Sequence, residues 1–265
     1  TSIFTKGFSY GVDFSGGRSY TIRFDQEAKT NEVRQALQDA FGSSSEVKQF
    51  GPTNQVKITT KYKIEEDSEE VDREVEVMLY DALSDFYEHP VTFEEFISTQ
   101  TNPNGIISSD KVGPTIADDL KVKAVMAVLL SLVAIFIYIA IRFRKWQWGF
   151  GGVLSLAHDA LFTISIFSIF SGILPFSLDI DQQFIAAVLT IIGYSINDTV
   201  VVFDRVREYQ HLYPKRDLYT NINEALNTTL MRTINTSGTV LVVLIAIFIF
   251  GGEIIRGFSF ALILG

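Results

Sequence analysis

The chain has 265 residues, of which 47% are apolar, and its 31 acidic and 22 basic side chains give a net charge of −9 at pH 7. The charge is uneven, since residues 1–120 hold 22 acidic and 11 basic residues whereas residues 121–265 hold 9 and 11. The acidic part has no basic stripe and is therefore not suited to bind nucleic acid or an anionic lipid surface. The absence of cysteine excludes disulfides, thiol nucleophiles and thiolate metal sites.

Residues 1–120 predict a compact α+β domain. Apolar residues at helical spacing indicate helices over 30–41 and 68–88. Strand-forming residues dominate several short stretches, at 19–24, 47–50, 55–62, 92–97 and 105–112. The order strand, helix, strand, strand, helix, strand is the split β-α-β pattern of ferredoxin-like domains.

Residues 121–265 predict an α-helical polytopic membrane bundle. The uncharged stretch 124–141 approaches the roughly 20 residues that cross a bilayer core. Four more apolar stretches follow, at 149–173, 184–203, 230–250 and from 258 onward. The polar stretch 205–227 has amphipathic pieces, so we expect it to form a connection along the membrane surface.

The loops of this bundle alternate in charge. Basic residues cluster at 142–145 and 205–216, whereas the loop at 179–181 is acidic. Basic loops face the cytoplasm. We therefore expect a multi-pass protein of a bacterial plasma (inner) membrane with residues 1–120 on the extracytoplasmic side.

Three ionisable sites interrupt the apolar stretches, where a charge costs on the order of 2.5–3.5 kcal/mol and usually faces a partner or a water-filled path. With helix ends predicted near Asp204 and Asn227, Asp198 and Arg232 lie at similar depths on neighbouring helices. A carboxyl in lipid stays neutral and a neighbouring guanidinium favours the anion, so such a pair can load and release a proton. A static salt bridge is the alternative. His158 and Asp159 form the third site, for which capping, packing and proton relay remain open.

Small and hydroxyl-bearing residues surround these sites and permit close helix packing and hydrogen bonds between helices. Packing alone would explain most of them. The set includes Gly193, Ser195, Asn197, Thr199 and Thr236.

Four motifs carry a resemblance to a known family. Residues 11–17, Gly-Val-Asp-Phe-Ser-Gly-Gly, are followed by Val-Gly-Pro at 112–114. Residues 193–199 read Gly-Tyr-Ser-Ile-Asn-Asp-Thr and continue to Phe-Asp-Arg at 203–205, and residues 232–237 read Arg-Thr-Ile-Asn-Thr-Ser. In this order they resemble the SecF family of bacterial protein-export subunits. The matched positions include Asp13, Gly16, Gly17, Gly113, Pro114, Gly193, Asp204 and Arg205.

The resemblance implies kinship with resistance-nodulation-division transporters and six membrane helices, with the outer domain between the first two. It implies action with SecD, separate or fused, beside the SecYEG channel, where the proton gradient promotes export of unfolded polypeptides. The proton-coupling pair maps onto Asp198 and Arg232. The chain starts at Thr1 and stops within an apolar run, so we expect a fragment without the first helix and most of the sixth. No enzyme activity, cofactor or metal ion is expected.

Three alternatives remain to be weighed. A resistance-nodulation-division exporter of small molecules or lipids fits the helices, but the motifs at 11–17 and 112–114 beside a single small outer domain favour protein export. An intramembrane protease is not supported, because this chain lacks the motifs of such enzymes. Ser195 lies in Gly-Tyr-Ser-Ile-Asn and not in the Gly-x-Ser-x-Gly of serine types, and the Gly-x-Gly-Asp of aspartyl types is absent. A purely structural role within the translocon is the third alternative.

Overall fold

The computed structural model describes residues 7–41, 45–66, 68–98, 103–174 and 176–265, except for the side chains of residues 253 and 254. Two compact units divide these residues. The sheet unit comprises the described residues up to Lys123 together with Phe170–Gln182. The helical unit comprises Ala124–Ile169 and Gln183–Gly265.

A four-stranded sheet organises the sheet unit. The elements are α1 (Val12–Ser15), β1 (Gly17–Arg23), α2 (Thr30–Phe41), β2 (Glu46–Gln49), β3 (Gln55–Thr60), α3 (Glu69–Leu83) and β4 (Gly105–Val112). The strands lie in the order β2-β3-β1-β4, and every adjacent pair is antiparallel. Helix α2 connects β1 to β2 and helix α3 connects β3 to β4, which confirms the predicted ferredoxin-like arrangement.

The core of this unit lies between the sheet and helices α2 and α3. Apolar residues alternate along β1 and β3 and recur every fourth position on the helices, so each element presents one apolar face. Burial of each such side chain contributes about 1.5–3 kcal/mol. The core includes Tyr20, Ile22, Val33, Leu37, Val56, Ile58, Val75 and Leu79.

The strand predicted at 92–97 is wrong. Phe93–Ile97 forms a short helix, α4, whose first turn is closed by a capping box between Thr92 and Glu95. The Thr92 hydroxyl accepts from the Glu95 amide at 3.4 Å, and the Glu95 carboxylate accepts from the Thr92 amide at 2.9 Å. Such a box favours the helix over a strand of similar composition.

In the described part of the chain, five helices follow the sheet unit's last strand. The first four are long and apolar enough to cross a membrane. The fifth is shorter and begins ahead of the apolar run at 258. They are α5 (Pro114–Phe143), α6 (Trp146–Phe170), α7 (Gln182–Leu212), α8 (Leu218–Phe250) and α9 (Glu253–Leu264).

The polar stretch 205–227 mostly extends the flanking helices. Helix α7 continues to Leu212 and helix α8 begins at Leu218, so that the connection between them is only 213–217. Asp217 caps α8 by accepting a hydrogen bond from the Thr220 amide at 2.9 Å. The amphipathic pieces at either end have helical spacing and continue the helices beyond their apolar parts.

Candidate functional site

Helices α7 and α8 are joined by polar contacts at the level of Asp198. The Ser237 hydroxyl of α8 donates to the Asp198 carboxylate of α7 over 3.3 Å. The Tyr194 hydroxyl donates to the backbone carbonyl of Thr236 over 3.0 Å. Asp198 is partly buried. A carboxyl within an apolar helix is thus held by a hydroxyl group of the neighbouring helix.

Arg232 lies nearer the connection between α7 and α8. Arg205 donates to the Thr228 hydroxyl over 3.2 Å, so the two helices are antiparallel and Arg232 lies between this contact and Ser237. Ser237 is five positions farther along α8, which corresponds to about 7.5 Å along the helix axis at about 1.5 Å per residue. Within the described part of the chain, Arg232 forms no ion pair within 4.0 Å.

The direction of the side chains widens this separation. Each Cβ atom of a helix tilts toward that helix's own N-terminus. Because α7 and α8 are antiparallel, Asp198 and Arg232 tilt in opposite directions. Arg232 therefore leans toward Asp204 and away from Asp198.

Arg232 lines an open cavity of about 300 Å³ between the two helices. Two carboxylates and two guanidinium groups border this space, so it suits water and ions better than apolar ligands. Its lining consists of Val201, Asp204, Arg205, Glu208, Thr228, Thr229 and Arg232.

The charged groups of this end are largely paired with one another. Asp204 lies 2.8 Å from Arg207 and 3.3 Å from Arg142 of helix α5. Arg205 lies 2.7 Å from Glu208. Asp204 therefore joins α5 to α7, and Arg205 joins α7 to α8 through Thr228.

Asp159 links helix α6 to α7. The Ser195 hydroxyl donates to its carboxylate over 2.8 Å, and His158 Nδ1 lies 3.2 Å from the other oxygen. The Asp159 side chain is 27% exposed and that of His158 is 78% exposed. Ser195 and Asp198 lie three positions apart on the same face of α7. The predicted site at Asp159 therefore contacts α7 about one turn from the predicted site at Asp198.

The remaining predicted polar residues bond locally or lie at the surface. Thr199 donates to the Ser195 carbonyl over 3.0 Å and Thr236 to the Arg232 carbonyl over 2.9 Å. Asn197 is exposed. A Cβ atom placed on Gly193 would meet no described atom within 4 Å, so nothing in the described residues requires glycine there. No group of three or more His, Cys, Asp or Glu side chains among the described residues is arranged to hold a metal ion.

Comparison with known proteins identifies the chain. The family model described as "Protein export membrane protein SecD/SecF, C-terminal" matches residues 93–265, and the SecD/SecF GG motif matches residues 1–28. The chain is 43% identical to the protein translocase subunit SecF of Rhodothermus marinus, over all of this chain and 79% of that protein. The corresponding protein of Haemophilus influenzae is 36% identical over 99% of this chain and 73% of its own length.

The chain belongs to the SecD/SecF family. The crystal structure of SecDF from Thermus thermophilus superposes with a TM-score of 0.80 at 32% identity, covering 99% of this chain and 32% of that one. SecDF in its super-membrane-facing form gives 0.60 at 31% identity. The chain thus spans about a third of the SecDF chains that it matches. Its SecF relatives are translocase subunits, which is a transport role and not an enzymatic one. Membership of this membrane-protein family, together with four helices long and apolar enough to cross a membrane, supports a multi-pass membrane protein.

The family's GG motif has a backbone explanation. Gly16 and Gly17 have φ of +64° and +140°, where L side chains are rarely found. A Cβ atom on Gly17 would also lie 2.9 Å from the Thr60 carbonyl oxygen. These two glycines turn the chain from α1 into the central strand β1.

Other motif residues stabilise the starts of helices α5 and α7. The Asp13 carboxylate accepts a hydrogen bond from the Gln182 amide at 3.1 Å and so caps helix α7. Pro114 is the first residue of α5, where its fixed φ is favourable and no amide donor is required. Gly113 precedes it and accepts from the Ala117 amide at 3.0 Å. These SecF motif residues therefore shape the chain where the sheet unit leads into membrane helices.

A further polar cluster, formed by Lys48 and Asp179, was not predicted from the sequence. Burial would lower the pKa of the Lys48 ammonium, but the charges of Asp179 and Glu46 and the hydrogen bonds to them together outweigh burial, so the pKa is raised. Burial would raise the pKa of the Asp179 carboxyl, but Lys48 and two serine hydroxyls hold it below its usual value. No sequence pattern links the two residues, which lie 131 positions apart.

Proposed function

We propose that the chain is part of an auxiliary subunit of the bacterial Sec translocase, which uses the proton gradient to promote export of polypeptides. The proposal extends the role of the SecF relatives to this chain. Asp198 and Arg232 are its proton-coupling pair. SecD, separate or fused, and the SecYEG channel are its partners, and unfolded exported chains are its substrate.

The hydrogen bond between Asp198 and Ser237 carries the proposal. A hydroxyl group donates to a carboxylate and accepts from a protonated carboxyl, so both forms of Asp198 keep a partner. A lysine or arginine in the same place would favour the anion alone. The serine partner therefore suits a carboxyl that must bind and release a proton at membrane depth.

Arg232 supplies the second half of the mechanism. Its guanidinium lies at the cavity with Asp204 and Glu208 and has no ion pair with a described carboxylate. A new rotamer of this long side chain, with a small rotation of α8, brings its charge toward Asp198 and favours loss of the proton. Return of Arg232 to the cavity favours uptake, and the two positions form the cycle.

Charge gives the orientation of this cycle. The connections after α5 and α7 are basic, whereas that after α6 contains Asp179 and Asp181. The positive-inside rule puts the cavity end of α7 and α8 at the cytoplasm of the plasma membrane. Residues 1–120 then lie on the extracytoplasmic side, where an exported chain emerges.

The test is gradient-dependent export by vesicles that carry the full-length protein. Asp198→Asn is expected to reduce export to the rate measured with the gradient collapsed, because the amide cannot exchange a proton at this pH. Arg232→Met is expected to do the same, and Arg232→Lys to retain part of the activity.

Asp118→Asn is the matched control. The Asp118 side chain lies near the start of α5 and is 78% exposed, so this substitution is expected to leave export unchanged. Each variant is compared at equal amounts of inserted protein. Unchanged gradient dependence in Asp198→Asn would show the pair to be structural and would end the motor hypothesis.

A further inference from the structure

The connection between α6 and α7 packs as part of the sheet unit. Residues Phe170–Gln182 cluster with that unit, although the helices on either side belong to the other one. The Gly11 amide donates to the Ile180 carbonyl over 3.0 Å, and the Ile180 amide donates to the Ser9 carbonyl over 2.8 Å. A Cβ atom on Gly11 would lie 2.9 Å from Asp181 Cβ, so the approach requires glycine. The connection is held beside the chain that precedes β1.

An ion pair fixes this contact. Lys48 projects from strand β2, with Nζ 2.8 Å from Asp179 Oδ1, and the Ser9 hydroxyl donates to the same oxygen over 2.6 Å. The Ser177 hydroxyl donates to Oδ2 over 2.6 Å. The Asp179 side chain is only 9% exposed. Since a nearly buried carboxylate depends strongly on its cation, the contact is expected to fail without Lys48.

The same segment leads directly into helix α7. The Gln182 amide, at the first residue of α7, donates to Asp13, which lies three positions before the first glycine of the GG turn into β1. Helix α7 carries Asp198. The segment that the sheet unit holds therefore leads into the helix that carries Asp198.

We propose that Lys48 and Asp179 are positioning residues that fasten the sheet unit to the start of helix α7, so that this helix start and the sheet unit move together during transport. The inference rests on the proposed function, because it gives the sheet unit a mechanical route to the helix of Asp198. It adds a role for two residues outside the four family motifs.

Hydrogen exchange in the full-length protein tests the fastening without any measurement of transport. Lys48→Met is expected to speed exchange of the Ile180 and Gln182 amides by at least about tenfold, since local opening no longer breaks an ion pair. Lys57→Met is the matched control, because Lys57 lies opposite Lys48 in the β2–β3 register. Equal exchange in the two variants overturns the proposal.

Two further measurements separate the fastening from loss of folding. The Tyr20 amide in β1 is expected to stay protected in Lys48→Met. The exchanged pair, Lys48→Asp with Asp179→Lys, restores opposite charges and is expected to recover protection of Ile180 and Gln182. An exchanged pair that stays as open as Lys48→Met overturns the role of the ion pair.

Export then tests whether the fastening positions α7. Gradient-driven export is expected to fall in Lys48→Met, to recover in the exchanged pair, and to fall no further when Lys48→Met is added to Asp198→Asn. Lost protection with normal export overturns the positioning role but leaves the proposed function intact, since that depends on Asp198→Asn alone. If Asp198→Asn has no effect, hydrogen exchange still decides whether the fastening exists.

Discussion

Some carboxylates of the two units have different partners. In the sheet unit, Asp179 faces Lys48 and Arg18 faces Asp72, each at 2.8 Å. In the helical unit, the carboxyls of Asp198 and Asp159 bind serine hydroxyls. A cation holds a carboxylate in one protonation state, whereas a hydroxyl serves both. The ion pairs of Asp179 and Asp72 therefore stabilise the charged carboxylates, whereas the coupling role proposed for Asp198 draws on its hydroxyl partner.

Apolar side chains show a second contrast. The sheet unit buries its core away from water, whereas α5 and α8 leave most of their apolar residues exposed. In a lipid environment such exposure carries no hydrophobic cost, and helices associate through packing and hydrogen bonds. Substitutions should therefore act through burial in one unit and through polar contacts in the other.

The largest effect is expected for Arg18→Met. Arg18 is 1% exposed and donates to Asp72 and to three backbone carbonyls within residues 62–66. Its loss leaves these acceptors without their donor, and we expect a decrease of about 3–5 kcal/mol in the free energy of unfolding. Urea unfolding of the purified protein in detergent, followed by hydrogen exchange of sheet-unit amides, measures it. Lys111→Met removes a more exposed partner of Asp72, and an equal loss there would contradict the special role of Arg18.

A cavity in the sheet unit should have the next largest effect. Leu79→Ala empties a fully buried position and is expected to cost about 2–5 kcal/mol. Val242→Ala on α8 trims a side chain that is 69% exposed, and little change is expected because the methyl groups already face an apolar environment. Thermal unfolding of both variants gives the comparison. Similar losses would show that α8 is packed against protein at Val242.

Acid should weaken the sheet unit. Burial would raise the pKa of Asp25, but hydrogen bonds from the Glu88 and His89 amides outweigh it and lower the pKa. Since the folded pKa lies below the unfolded one, this stabilisation is complete above about pH 4 and is lost as the pH falls through the folded pKa. Unfolding free energies measured from pH 6 to pH 2 should fall less steeply in Asp25→Asn than in the wild type. If the unfolding free energy fell equally steeply with pH in both proteins, Asp25 would not be a source of the acid sensitivity.

The smallest effect on stability is expected for Ser237→Ala. Hydrogen bonds between membrane helices contribute about 0.6 kcal/mol on average, so the protein should remain folded. Gradient-driven export should nevertheless decrease, because protonation of Asp198 loses its matched partner. Ser131→Ala is the control, since the Ser131 hydroxyl bonds only the Val128 carbonyl of its own helix. Equal gradient-driven export in the two variants would show that Ser237 has no role in proton coupling.

Local patterns predicted much of the fold. Apolar residues alternate along β1 and β3 and recur every four positions along α2 and α3. These patterns reflect which face of each element is buried, so they can be recognised in the sequence. The prediction of a strand at 92–97 was wrong because two phenylalanines and an isoleucine fit one face of a helix as well as they fit a strand. The capping box of Thr92 and Glu95 was the signal that could have decided it.

The candidate site was predictable only in part. Asp198 and Arg232 stand out because charges are rare in apolar stretches, but the hydroxyl partner of Asp198 depends on the register of α7 against α8. Arg232 was predicted to lie as deep as Asp198 with α8 starting near Asn227, whereas α8 starts at Leu218. The contact of Lys48 with Asp179 depends on the path of the whole chain, which no local pattern encodes.

The five-residue connection between α7 and α8 determines how these helices can move. Arg216 stacks 4.0 Å from the Tyr213 ring centre and lies 2.6 Å from Glu224, while Asn221 donates to the Tyr213 carbonyl over 3.4 Å. We expect so short and well-bonded a connection to resist sliding of one helix along the other but to allow the angle between them to change. Displacement then grows with distance from the connection. Asp198 and Ser237 lie farther from it than Arg232, so the same change of angle would separate them by a larger distance.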